Sequence, residues 1–219
     1  LKATYFLFMN FLIRLFLIFV AFSVTSCAGF YRRINPISID FTQYDTPDEV
    51  TLEYEYKELK GRKYRRKAEK NNIQIVALQI TNNSSDEVII GKNFEFRDQN
   101  NQVLKLYTPV ETVDKIHQTL PNYLLYLLMT PLRFTDGTDH YGEPKNYYVG
   151  AFVGPILTAH NVFIAHQSNK KMKREFDKYN VINHTILPGE TKTGLISIQM
   201  EKKGDQPNIY LYKKKQQFL

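Results

Sequence analysis

Two stretches of this chain leave little freedom in how it folds. From Val50 to Lys57 the residues alternate strictly, with Val50, Leu52, Tyr54 and Tyr56 on one side of an extended chain and Thr51, Glu53, Glu55 and Lys57 on the other. That is the pattern of a strand buried on one face. From Ile73 to Ile80 both sides are apolar, Ile73, Ile75 and Ala77 opposing Val76, Leu78 and Ile80, so this strand is expected at the centre of a sheet. Asn82-Asn83-Ser84-Ser85-Asp86 then turns the chain, and short strands follow at 88–90, 93–97 and 103–106, the last two separated by Asp98-Gln99-Asn100-Asn101. Beyond residue 182, Thr185-Ile186-Leu187 leads through Pro188-Gly189-Glu190 to further strands at 194–200 and 208–213. This spacing predicts a mainly β chain built as an antiparallel β-sandwich.

Residues 107–182 read differently. Thr108-Pro109-Val110-Glu111 fits an N-cap, a proline at the first helical position and a capping-box glutamate. Val113, Ile116 and Leu120 then share a face. A second apolar segment, Tyr123 to Met129, ends at Pro131, and a polar loop holding Asp136, Gly137, Asp139 and His140 runs to Asn146. Tyr147 to Gln167 is apolar again, and 169–180 carries Met172, Phe176 and Tyr179 as a stripe among lysines, the mark of an amphipathic helix. The block is expected to be a helical insertion into a sandwich formed by 47–106 and 183–213, with 214–219 as a tail.

The first 26 residues have the parts of a secretory signal. An apolar run from Phe11 to Val24 is flanked or entered by Lys2 and Arg14, and small residues precede Cys27. Asn10 and Arg14 leave too short an apolar stretch to span a bilayer comfortably. Met9 would open a tidier signal. Removal of residues 1–26 lowers the formal charge from +7 to +5, since Lys2 and Arg14 leave with no acid beside them. The remainder suits one domain with a sizeable core. Cys27 is the single cysteine, so no disulfide forms within the chain and apolar packing must hold the core. Residues 27–46, with Arg32, Arg33 and Pro36, read as a tether.

Val24-Thr25-Ser26-Cys27 resembles the lipobox of bacterial lipoproteins. The resemblance implies that Cys27 becomes the first residue, that its sulfur carries a diacylglyceryl group and its amine a further chain such as palmitate, and that these chains hold the protein on a membrane. Ala28 and Gly29 after the cysteine resemble sorting signals for the outer membrane, facing the periplasm. Three motifs further along resemble the telokin-like, immunoglobulin-like domains of bacterial surface lipoproteins: Asn72 to Asn83, a strand ending in Asn-Asn; Asn93-Phe94-Glu95-Phe96-Arg97-Asp98; and Leu187-Pro188-Gly189-Glu190 leading to Gly194. This likeness covers 48–106 and 183–213 and implies an immunoglobulin-like sandwich. The long insertion departs from the compact pattern of that family.

Three constellations are candidates for function. Gly150 and Gly154 have the small-xxx-small spacing that lets helices approach closely in lipid. Against a membrane span stand Pro155, His160, Asn161, His166 and Gln167, which favour a bent core helix. Arg62, Lys63, Arg65, Arg66 and Lys67 form a dense basic run, read either as a solvated connection or as a site for lipid phosphates or another polyanion. Asp136, Asp139 and His140 are the candidate residues of a hydrolase. His117, His140, His160, His166 and His184 lack zinc-ligand spacing, and the loop at Asp136 lacks the pattern of a calcium site. No nucleophile elbow or phosphate-binding glycine loop is present. The expectation is a non-catalytic, lipid-anchored interaction module with no cofactor, no metal and no nucleic-acid partner, touching anionic lipid or another envelope protein. The alternatives are an oligomeric or membrane-associated assembly factor using 147–167, and a hydrolase with a site between insertion and sandwich.

Overall fold

A computed structural model describes residues 27–45 and 49–214. In chain order it contains β1 (Gln43–Asp45), β2 (Val50–Lys57), helix α1 (Arg62–Lys70), β3 (Ile73–Asn82), β4 (Val88–Ile89), β5 (Phe94–Arg97), β6 (Leu106–Tyr107) and α2 (Pro109–Ile116). A 3₁₀ helix at Leu120–Met129 and a hairpin of β7 (Phe134–Thr138) and β8 (Pro144–Tyr147) come next, then α3 (Gly150–Lys178), β9 (Thr185–Ile186), β10 (Thr191–Gln199) and β11 (Tyr210–Lys213). The fold is mixed α+β with antiparallel sheets. Contacts divide it into a smaller unit, residues 27–28 with 119–165, and a larger one, residues 29–118 with 166–214.

The larger unit is organised by β3. It lies inside a five-stranded sheet of order β1-β2-β3-β10-β6, as a strand apolar on both sides must. Register sets Leu52 and Tyr54 opposite Ile80 and Leu78, and Ile196 opposite Val76. These residues join one core with Val88 and Ile186 of the β4–β9 pair and Phe94, Phe96 and Leu211 of the β5–β11 pair. On the opposite side of the sheet Ile73, Ile75, Ala77 and Leu195 pack with Tyr64 and Ala68 of α1, Ile116 of α2, and Met172 and Phe176 of α3. The sheet is thus covered by strand pairs on one face and by helices on the other.

Residues 62–70, expected as a connection or an ion site between strands, form α1. Its two buried residues, Tyr64 and Ala68, are four apart, while Arg62, Arg65, Arg66 and Lys70 are exposed. Two apolar residues anchor this helix, too few to stand out in the sequence. The capping box at α2 forms as the sequence requires, Thr108 Oγ1 accepting from Glu111 N and Glu111 Oε2 from Thr108 N.

The asparagines and the Pro-Gly-Glu turn hold one another. Buried Asn82 donates from Nδ2 to the carbonyls of Asp86 (2.8 Å) and Ile186 (3.0 Å), and its Oδ1 accepts from Ser84 N. Its backbone N donates to Glu190 O, and Gly189 N, at a φ of +76°, donates to Asn82 O.

In the smaller unit the polar loop around Asp136 is a hairpin rather than irregular chain, and Tyr123 to Met129 lies in a 3₁₀ helix. Tyr123, Tyr126 and Met129 are buried at intervals of three, the spacing at which side chains eclipse when there are three residues per turn. They pack with Ala165, and with Ala28, Leu120, Val153, Leu157 and Val162 at the margin.

Candidate functional site

Cys27 is exposed. Val24, Thr25 and Ser26 lie outside the described residues. From Ala28 onward the backbone is held by hydrogen bonds. In the smaller unit Ala28 N donates to Asn161 Oδ1 at 2.5 Å. In the larger unit Gly29 N donates to Gln118 Oε1 (2.8 Å), and Gln118 Nε2 donates to Gly29 O (2.6 Å) and Tyr64 Oη (2.7 Å). Asn169 completes this knot, its Oδ1 accepting from Gln118 N and its Nδ2 donating to Gln118 O.

Two residues on, Glu175 Oε1 accepts from both Tyr31 Oη (2.6 Å) and Ile34 N (2.8 Å). Glu175 is 5% exposed. Burial raises its carboxyl above the ordinary glutamate range, while the hydrogen bonds from Tyr31 and Ile34 and the charge of Arg33 work in the opposite direction. Burial also pushes the Tyr31 hydroxyl up, with the Glu175 carboxylate beside it adding to the effect. Residues read from sequence as the start of a tether are therefore packed. The sequence hides this because Gln118, Asn161, Asn169 and Glu175 look like solvated helix residues until folding buries the first two and Glu175 and half-covers Asn169.

The five basic candidates separate by face. Lys67 Nζ donates to the His117 carbonyl at the end of α2, and desolvation lowers its pKa. Lys63 is half-buried with its stem against Gly29. Arg62, Arg65 and Arg66 point outward with Lys70, an i, i+3, i+4 pattern that makes one basic helix face. Arg65 lies 3.7 Å from Glu69 and 3.9 Å from Glu58, exposed pairs of the kind that contribute little. A concavity of about 280 Å³ beside this helix is lined by Arg65, Glu69, Lys203 and Met200 among others. Within it Lys203 bonds Glu69 at 2.9 Å and holds that carboxyl below its usual range.

Gly150 and Gly154 sit where their spacing is needed. A β-carbon on Gly150 would lie 2.0 Å from Met129 O and 2.7 Å from Leu132 N; one on Gly154 would lie 2.8 Å from Thr130 Oγ1 and 3.0 Å from Tyr126 O. The close approach they permit is to the 3₁₀ helix of the same chain.

Beside this contact the side chains are sorted unusually. The covered stripe of α3 within the smaller unit is Gly150, Gly154, Thr158, Asn161 and Ala165, all small or polar. Val153, Leu157 and Val162 flank it half-buried, while the bulky residues Phe152, Ile156 and Phe163 face outward. In the 3₁₀ helix two tyrosines point in while Leu124, Leu125, Leu127 and Leu128 point out. Leu125, Leu128, Phe152, Ile156 and Phe163 are 63–75% exposed. A bent core helix, the bland expectation for 147–167, would bury those bulky residues.

Asp136, Asp139 and His140 lie on the exposed hairpin, Asp139 Oδ1 accepting from Tyr141 N and Glu143 N in its turn. Among the described residues no three His, Cys, Asp or Glu side chains group as metal ligands would, and no helix is long and apolar enough to cross a membrane. Comparison of the chain with family models, with curated proteins and with solved structures gives no match.

Proposed function

We propose that this protein is a lipid-anchored component of a bacterial cell envelope, acylated at Cys27 through the lipobox Val24-Thr25-Ser26, and that its role is non-catalytic: it presents a surface at a membrane. Retention at the outer membrane, facing the periplasm, is the part of this reading taken from Ala28 and Gly29. The five-stranded sheet with its facing strand pairs is what we read as the immunoglobulin-like sandwich.

The observation that carries the reading is the way Ala28 and Gly29 are held, by Asn161 in one unit and Gln118 in the other. Buried polar groups are kept where they are hydrogen-bonded, and an unmet one costs about 1–3 kcal/mol. Committing such side chains to the residues next to Cys27 suits a chain whose attachment point must have a defined place on its body. The second observation is the outward-facing apolar set of the smaller unit, which favours a membrane-associated role over a free periplasmic one. Mass spectrometry of the protein purified from bacterial membranes is expected to find Cys27 at the N-terminus carrying acyl chains. An unmodified Cys27 with residues 1–26 still attached would overturn the reading.

A further inference from the structure

We infer that the smaller unit is embedded in the interfacial layer of a lipid bilayer, with Leu125, Leu128, Phe152, Ile156 and Phe163 among the acyl chains. This rests on the anchoring proposed above and names what that unit meets.

The argument begins with which side chains are inside. In water an amphipathic helix turns its bulky apolar residues to the core and its polar ones out. Here α3 buries Gly150, Gly154, Thr158 and Asn161, keeps Val153, Leu157 and Val162 half-buried at the edges of that contact, and sets Phe152, Ile156 and Phe163 on one outer stripe, four and then seven residues apart. Small residues at the packing contact with large apolar ones outside is the arrangement of helices that meet lipid. The 3₁₀ helix is sorted the same way: Leu125 and Leu128, three apart, share an outer line, while Tyr123 and Tyr126 are covered.

Charge obeys the same division. Residues 119–132 and 146–169 contain no Asp, Glu, Lys or Arg, whereas Arg133, Asp136, Asp139, Glu143 and Lys145 are all in or beside the hairpin. Exposed His160 lies at the margin of the α3 stripe; a surface otherwise without Asp, Glu, Lys or Arg offers little for a charged partner to pair with, and hydrocarbon requires no pairing. The occupant is further chosen by attachment, since Cys27 belongs to this unit and Ala28 is bonded to Asn161 on α3. Acyl chains on that cysteine hold this unit at the bilayer. Because no described helix is long and apolar enough to cross, the contact is a shallow one in the plane of the interface.

The chain has no tryptophan, so single replacements report without background. Phe152→Trp, Leu128→Trp and Phe163→Trp are placed one at a time in the full chain, with Tyr141→Trp at the hairpin as reference. Each protein is purified from membranes and reconstituted in phosphatidylethanolamine–phosphatidylglycerol vesicles with or without acyl-brominated lipid. Emission from positions 128, 152 and 163 is expected to shift to the blue and to lose intensity to bromine, and emission from 141 to do neither. Red, unquenched emission at all three sites overturns the inference, and so does a blue shift that bromine leaves intact and that grows with protein-to-lipid ratio, which would mean a second copy covers the face. Mass spectra of the same samples separate the two claims. Acylated Cys27 with unquenched tryptophans removes this inference and leaves the anchor; quenched tryptophans with unmodified Cys27 support insertion and remove the anchor.

Discussion

Glu175 shows how one residue can carry a tertiary decision. On α3 it stands among Lys171, Arg174 and Lys178, company that in an isolated helix means solvent. In the fold it is buried and its Oε1 receives two hydrogen bonds that fix Tyr31 and Ile34. Because burial is the largest influence and raises its pKa, the folded carboxyl binds its proton more tightly than the unfolded one. Below the unfolded pKa both states are protonated and folding carries no ionisation cost. As pH rises through the raised folded value, the native state loses stability. Glu175→Gln retains the acceptor and removes the charge. Urea denaturation between about pH 4 and pH 8 is expected to show the wild type losing stability relative to Glu175→Gln as pH rises, and a constant difference would contradict this. Asn82 is the opposite case. Its place at the end of an apolar strand, before a run of Asn, Ser and Asp, announces turn chemistry, and turn chemistry is what it performs.

At the level of elements, legibility depended on period. β2 and β3 were readable because alternation at two residues admits a single interpretation, and α2 because its cap is local. The 3₁₀ helix was not, since buried positions at three-residue intervals look in sequence like a short apolar run. α1 was obscured by its own charge. The glycines of α3 were conspicuous by spacing, yet which element they would meet required the fold. Gly150→Ala should lower stability by about 2 kcal/mol or more in urea unfolding: overpacking against backbone costs roughly 1–3 kcal/mol, and at the first residue of α3 the propensity alanine gains in a helix interior offsets little of it. Gly154→Ala, whose nearest neighbour is the turnable hydroxyl of Thr130, should cost less. Equal stability of Gly150→Ala and wild type would mean the helices do not approach as described.

For the whole molecule, excess positive charge is the property that acts at a distance. The formal charge of +7 includes an outward arginine row on α1 whose members sit on one helical face. Basic residues at an anionic leaflet contribute about 1 kcal/mol each, an effect screened within about 8 Å at physiological ionic strength. Replacing Arg62, Arg65 and Arg66 by Ser should therefore weaken association with phosphatidylglycerol vesicles at low salt and change little at high salt, as read by vesicle sedimentation. Binding unchanged at low salt would leave α1 as a structural element alone.

The features that sequence by itself determined were those set by neighbours along the chain: the alternating and doubly apolar strands, the turns, the cap of α2 and the close-packing glycines. Only the tertiary structure decided which side chains face out. Exposure depends on what lies across space, and a phenylalanine four residues from an isoleucine reads the same whether that stripe is covered by a core or left bare.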